Sequence, residues 1–273
     1  MARIISLQEA VSEYVSDGLT VALEGFTHLI PFAAGHEIIR QQIKDLTLVR
    51  MTPDLLYDRM IGAGCVKKLV FSWGGNPGVG SLHRLRDAVE NGWPNRIEIE
   101  ENTHAGMANR YVAGASGLPF AVMRGYSGTD LPEHTRNVAT VECPFTGEQI
   151  TAVAALRPDV GIIHAQRADR RGNVQIWGIS GVQREVVLAS HTSIVTVEEV
   201  VDELDGATAA SVIPAMAVDV VCHVPSGAKP SYAQGFYDRD NDTYLRWDAV
   251  SRDRTEFMSW LDQLKSGADH VAL

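Results

Sequence analysis

Cysteine is scarce: Cys65, Cys143 and Cys222 are the only three in 273 residues, widely spaced and odd in number. Such a set provides no disulfide framework, and a reducing compartment, the cytoplasm, is the expectation. Positive charge is also short, with 24 Lys and Arg against 34 Asp and Glu, a formal charge of −10 and no basic block. Nucleic acids and anionic membranes are held chiefly by clustered cations, so the expected partner is a small molecule or another protein. No apolar run approaches the ~18–20 residues that span a bilayer, and the opening Met-Ala-Arg-Ile-Ile-Ser lacks the apolar stretch of a signal peptide.

Several chemical signatures are missing as well. The nine histidines include no His-Glu-x-x-His and no Cys/His cluster, which argues against a zinc site. A Gly-x-Ser-x-Gly nucleophile turn is absent, as is the Gly-Lys-Ser/Thr of a phosphate-binding loop. Gly78, Gly80 and His83 fail the dinucleotide fingerprint at its third glycine. Asp238-Arg-Asp240-Asn-Asp242 opens like a calcium loop, but Thr243 and Ala249 stand where the glycine and the bidentate glutamate are needed. It reads as a solvated acidic turn.

What remains is an ordinary globular balance, 45% apolar and 21% charged, with no repeat or linker, so a single domain over 1–273 is expected. Ser6-Leu-Gln-Glu9 is a capping box that opens an amphipathic helix stopped at Gly18. Strand and helix patterns then alternate: strands at 19–23, 46–51, 66–72 and 96–100, helices at 32–43, 54–63, 81–90 and 104–116, and an extended piece at 119–123. Residues 126–148 read as a long irregular excursion. Strands resume at 149–154, 160–165, 174–177, 193–197 and 218–224, with a turn at 166–173, a helix near 182–190 and a C-terminal amphipathic helix over 243–265. This alternation predicts an α/β fold: a mainly parallel sheet with helices on both faces.

In such a sheet ligands collect beyond the carboxyl ends of the strands. Four loops qualify: Glu24-Gly25-Phe26-Thr27-His28, the glycine-rich Trp73 to Gly80, Glu101-Asn102-Thr103-His104, and Gln166-Arg167-Ala168-Asp169. Parallel strands would bring them to one edge, with glycine backbone for close approach and Glu101 and His104 for proton chemistry. The glycine-rich loop is equally readable as a tight turn, His104 as a polar first-turn residue, and Gln166 and Asp169 as turn formers. Cys65 reads as buried filler entering a strand.

Gly161-Ile-Ile-His-Ala-Gln-Arg-Ala-Asp-Arg-Arg-Gly-Asn-Val-Gln-Ile-Trp-Gly178 resembles the His-Ala-x-x-Ala-Asp-x-x-Gly-Asn signature of class I coenzyme A transferases. Ala22-Leu-Glu-Gly-Phe-Thr27 is similar to that family's early glycine-phenylalanine turn, and Gly117–Phe120, Pro214–Asp219 and Pro225–Ser231 extend the likeness through nearly the whole chain. The kinship is with A (α) subunits of the glutaconate CoA-transferase kind. The resemblance implies an α/β CoA-transferase fold, a partner B (β) subunit in an assembly commonly of two A and two B chains, and an active site between them. It implies a coenzyme A thioester as substrate and no permanently bound cofactor. In that family a B-subunit glutamate attacks the acyl-CoA carbonyl and an enzyme glutamyl-CoA thioester carries CoA to the acceptor acid, a covalent route that keeps water out. Val89-Glu90-Asn91-Gly92 copies part of the nucleophile motif Ser-Glu-Asn-Gly, but Glu90 ends a predicted helix, so the match reads as coincidence.

Gly25, Phe26, Thr27, Ser81 and Gln166 are carried over as candidate substrate-lining residues. Two departures stand out. Glu24 takes a position where relatives usually have glycine, placing an extra carboxylate towards the pocket or the partner. His104 aligns with a glutamine in glutaconate enzymes and with a glutamate in a steroid ring-cleaving CoA hydrolase. An alternative reading therefore makes the chain part of a C–C hydrolase or decarboxylase acting on CoA thioesters, with His104 or Glu101 as acid/base.

Overall fold

The computed structural model describes residues 2–76, 78–126, 128–206 and 210–267. Its elements run β1 (Arg3–Ile4), α1 (Leu7–Tyr14), β2 (Thr20–Glu24), α2 (Phe32–Arg40), β3 (Leu46–Val49), α3 (Leu55–Gly62), β4 (Val66–Phe71), α4 (His83–Glu90), β5 (Glu98–Glu101) and α5 (His104–Ala115). Then follow β6 (Phe120–Met123), α6 (Leu131–His134), β7 (Val138–Glu142), β8 (Gln149–Ala154), β9 (Val160–Asp169), β10 (Val174–Ile176), α7 (Gln183–Ala189), β11 (Thr192–Val201), β12 (Ser211–Ile213), β13 (Val220–His223), α8 (Asn241–Arg252) and α9 (Arg254–Lys265).

The main sheet has ten strands in the order β1-β13-β11-β9-β2-β3-β4-β5, with β10 paired to β9 and β12 at one side. Every neighbouring pair along that order is parallel, and only the pairings of β10 are antiparallel. Alternate side chains leave each strand in opposite directions, and both directions are apolar. Val21, Leu23, Leu48, Leu69, Ile162 and Ile194 enter one core with α1 to α4, α8 and α9; Ala22, Val49, Val70, Ile163 and Val195 enter another with α5 and α7. Helices thus cover both faces, as expected. Burial pushes the Cys65 thiol up to about 12, the behaviour of a core residue.

The chain runs outward from β2 to β5 in one direction and from β9 through β11 to β13 in the other. This reversal beside β2 is the switch point at which open α/β sheets leave a crevice. The capping box is present, with Ser6 Oγ accepting from the Glu9 N–H and Glu9 Oε2 accepting from the Ser6 N–H.

Three expectations change. The excursion at 126–148 holds α6 and β7, and β7 joins β6 and β8 in a separate three-stranded antiparallel sheet, so β8 is not part of the main sheet. The missed strand, β7, is five residues long and largely exposed, so the apolar alternation used to find strands is weak there. Gln166 and Asp169 lie inside β9, which pairs with β11 as far as Asp169; the turn starts at Arg170. The C-terminal helix is two helices, broken at Asp253, whose carboxylate accepts from Thr255 N–H and Glu256 N–H and restarts the helix.

Candidate functional site

A cavity of about 270 Å³ opens beyond the carboxyl ends of β2 to β5, lined by Phe26, Thr27, Ile30, Arg50, Thr52, Asp54, Trp73, Gly75, Asn76, His104, Arg239 and Tyr244. Successive strands supply Phe26 and Thr27, then Arg50 and Thr52, then Trp73 to Asn76, then His104, while α8 and the segment before it close the far wall. Sites for drug-sized ligands run to roughly 300–1,000 Å³, so this one is sized for a small molecule and not for a whole coenzyme.

The first wall is a strained turn. Thr27 and Leu29 sit at φ 56° and 54°, the left-handed region that residues with side chains seldom adopt. A Cβ on Gly25 would stand 2.6 Å from the Leu29 carbonyl oxygen, so the turn needs glycine there. The turn is stapled to the segment 227–234: Leu29 N–H donates to Tyr232 O, Ala33 N–H to Gly227 O, and Ser231 Oγ–H to Thr27 O. Buried His28 accepts from Gln234 N–H at Nε2, so its Nδ1–H donates to Ile179 O, and burial lowers its pKa and keeps it neutral.

The floor is ionic. Arg50, 1% exposed, donates to Asp54 Oδ1 (2.9 Å) and to the Gly25 carbonyl (2.9 Å), while Asp54 also caps α3 through Leu56 N–H. Asp54 is the one carboxylate among the lining residues, and these bonds occupy it. Arg239 stacks on the Tyr244 ring, 4.2 Å from its centroid, and makes no ion pair among the described residues. The Ser72 hydroxyl donates to the Met51 carbonyl (2.7 Å), so the His104 Nδ1–H donates to Ser72 Oγ (3.0 Å) and Nε2 is left outside that bond.

Of the seven residues singled out by sequence, Phe26, Thr27 and His104 line this cavity and four do not. Gly25 lies behind the wall, contributing its carbonyl to Arg50. Glu101 is exposed at the end of edge strand β5, off the cavity wall, because only the helix start at His104 turns back over the strand ends. Ser81 faces α8, its N–H donating to Asp248 Oδ1: the glycine-rich loop lines the cavity with its first half and leaves it with its second. Gln166 is fully buried, donating to the Trp177 carbonyl and accepting from the Trp177 N–H, and it braces His28 from beneath.

Glu24 faces neither the cavity nor a partner surface. It is 3% exposed on the α5 side of the sheet, accepting from Met51 N–H and Tyr111 Oη–H, and burial pushes its carboxyl up to about 7. Glu90 ends α4 on the surface, paired with Arg86, and lies outside the cavity. Sequence reasoning missed Arg50, Asp54, Arg239 and Tyr244. The strand-end rule applied to β3 finds Arg50; nothing local marks Arg239. Among the described residues no His, Cys, Asp and Glu cluster fits a metal ion, and no helix is long and apolar enough to cross a membrane.

Residues 4–223 match the coenzyme A transferase family model. The chain is 63% identical to the A subunit of 3-oxoadipate CoA-transferase from Pseudomonas knackmussii over 98% of its own length and 95% of that protein. It is 32% identical to the A subunit of glutaconate CoA-transferase from Acidaminococcus fermentans, covering 99% of this chain and 91% of that one. The crystal structure of glutaconate coenzyme A-transferase from that organism superposes with a TM-score of 0.89 at 31% identity, over 99% of this chain and 91% of that one. The decarboxylase AibA/AibB superposes with a TM-score of 0.82 at 29% identity, over 96% and 98% of the two chains. With the family model spanning most of the chain and these relatives matching it nearly end to end, the protein belongs to the coenzyme A transferase family.

Proposed function

We propose that this chain is the A subunit of a two-subunit CoA-transferase that moves CoA between short dicarboxylic acids, with 3-oxoadipate as the acid. The observation that carries the reading is the cavity itself: it lies beyond β2 to β5, to one side of the switch point, is of a size for a short acid, presents cationic groups, and has no uncommitted carboxylate among its described lining residues. Transfer through an acyl anhydride needs such a nucleophile, so a B chain supplies it, and the 63% identity to one half of a named two-chain transferase agrees. The assembly is proposed to be two A and two B chains working in the cytoplasm, with the CoA thioester as substrate and no resident cofactor.

In the proposed cycle the partner's glutamate attacks the acyl-CoA carbonyl and expels CoA thiolate, leaving a mixed anhydride. The thiolate then attacks the glutamyl carbonyl, releasing the donor acid and leaving a glutamyl thioester. The acceptor carboxylate reverses both steps and leaves as the new CoA thioester. This chain binds and orients the acid: Phe26, Trp73 and Tyr244 exclude water, and Thr27 and His104 face the acid between them.

The test is reconstitution with the B chain, succinyl-CoA as donor and 3-oxoadipate as acceptor, following both the new thioester and free thiol. Acceptor-dependent thioester formation with no free thiol, and none of either with this chain alone, is the expected result. Free CoA without transfer, or loss of CO2 with the thioester intact, would replace the reading with hydrolase or decarboxylase chemistry.

A further inference from the structure

The cavity wall carries two guanidinium groups of different standing. Arg50 shares with Arg239 a buried Nε–H that has no hydrogen-bond partner, but it is paired with Asp54 and with the Gly25 carbonyl, so its charge is neutralised where it lies. Arg239 is half-buried, stacked on Tyr244, and joins no carboxylate among the described residues; its Nε–H is buried with no hydrogen-bond partner. A buried donor left unmade is costly, and a guanidinium lying over an aromatic ring is restrained there. Both conditions suit a planar anion arriving from the cavity, since a guanidinium matches a carboxylate with parallel N–H donors. The remaining lining near it, Phe26, Trp73 and Tyr244, is aromatic and suits a short methylene chain.

We propose that Arg239 is the specificity-determining residue of the acid site: it binds the distal, unreacting carboxylate of a dicarboxylic acyl group, while the proximal carboxylate faces the partner's nucleophile. The inference rests on the proposed transferase reading. Asp240 caps α8 through Thr243, and its N–H donates to Pro230 O, so Arg239 is held between a helix start and the segment that staples the Phe26 turn. Acids lacking the second carboxylate leave the guanidinium unpaired in an apolar surround and are rejected by that cost.

The experiment uses the reconstituted A and B complex, wild type, Arg239→Met and Arg239→Lys. Calorimetry without acyl-CoA compares adipate with hexanoate, and turnover compares 3-oxoadipate with 3-oxohexanoate. Wild type is expected to prefer the diacid at least tenfold in both. Arg239→Met is expected to cut the diacid-over-monoacid ratio by about 10- to 100-fold, the range for a hydrogen bond to a charged group. Arg239→Lys, which keeps the charge, should recover part of the ratio. Equal loss for both acids in Arg239→Met would mark a merely structural role and overturn the inference, as would adipate preference that survives the substitution. Because adipate binding is read without turnover, Arg239-dependent binding in a complex that transfers no CoA would sink the transferase reading alone.

Discussion

Two residues show how burial and hydrogen bonding set chemistry here. Glu24, whose carboxyl rises from 4.5 to about 7, keeps its proton in the folded state at pH values where the unfolded chain has lost it. Its contribution therefore falls as pH rises from about 4.5 to about 7, and the destabilisation is complete above 7, by something of the order of 3 kcal/mol. Glu24→Gln keeps an acceptor for Met51 and Tyr111 and removes the titration. Its stability relative to wild type should climb between pH 5 and pH 8 in urea unfolding, and parallel curves would contradict this. His104 lines the cavity with Nδ1 engaged by Ser72, and glutamine offers hydrogen bonding there without proton transfer. In the reconstituted transferase His104→Gln should keep kcat/KM within about tenfold with an unchanged pH profile, whereas a general base would cost 10²- to 10⁴-fold.

At the scale of elements, α5 decides where His104 stands. Thr103 caps its start through Gly106 N–H, and the glycines along it allow close packing. A Cβ on Gly114 would enter the Leu156 carbonyl, which is backbone and yields little. Gly114→Ala should cost about 1–3 kcal/mol by overpacking, read in urea unfolding, despite alanine's better helix propensity. A stabilised variant would show that α5 is free to shift. The start of α5 at His104 and its small residues were legible in the sequence, as were β2 to β5 with the helices between them: β2 to β4 carry buried apolar stretches, whereas the exposed edge strand β5 is marked by its place in the alternation. Of the antiparallel sheet, β6 and β8 were legible as the extended segments 119–123 and 149–154, but β7 and the pairing of the three were not, since β7 is short and largely exposed. Asp253 also escaped notice: the amphipathic pattern continues across it, and only its two capping bonds show the break.

For the whole molecule, the loops after β2, β4 and β5 do converge on one cavity, which parallel polarity alone predicts. What sequence order could not give was the far wall, because Arg239 and Tyr244 arrive from the C-terminal part of the chain through contacts with no local signature. Nor could it show that Gln166 serves from within β9 as a brace, since a glutamine closing on the backbone of Trp177 looks the same in sequence as one facing solvent. If the partner completes the site, adding this chain to a fixed amount of the B chain should raise transfer linearly and break at equimolar ratio. Activity that rises before any B chain is present would refute a shared site.

The ionic floor has a bearing on cellular economy. Because Asp54 is already engaged by Arg50 and by the start of α3, a copy synthesised ahead of its partner has no free carboxylate among the described residues of its cleft to attack a thioester. On the proposed reading, surplus copies would sequester free diacid yet form no acyl-enzyme of their own, so uneven translation of the two chains slows flux without dissipating activated carbon.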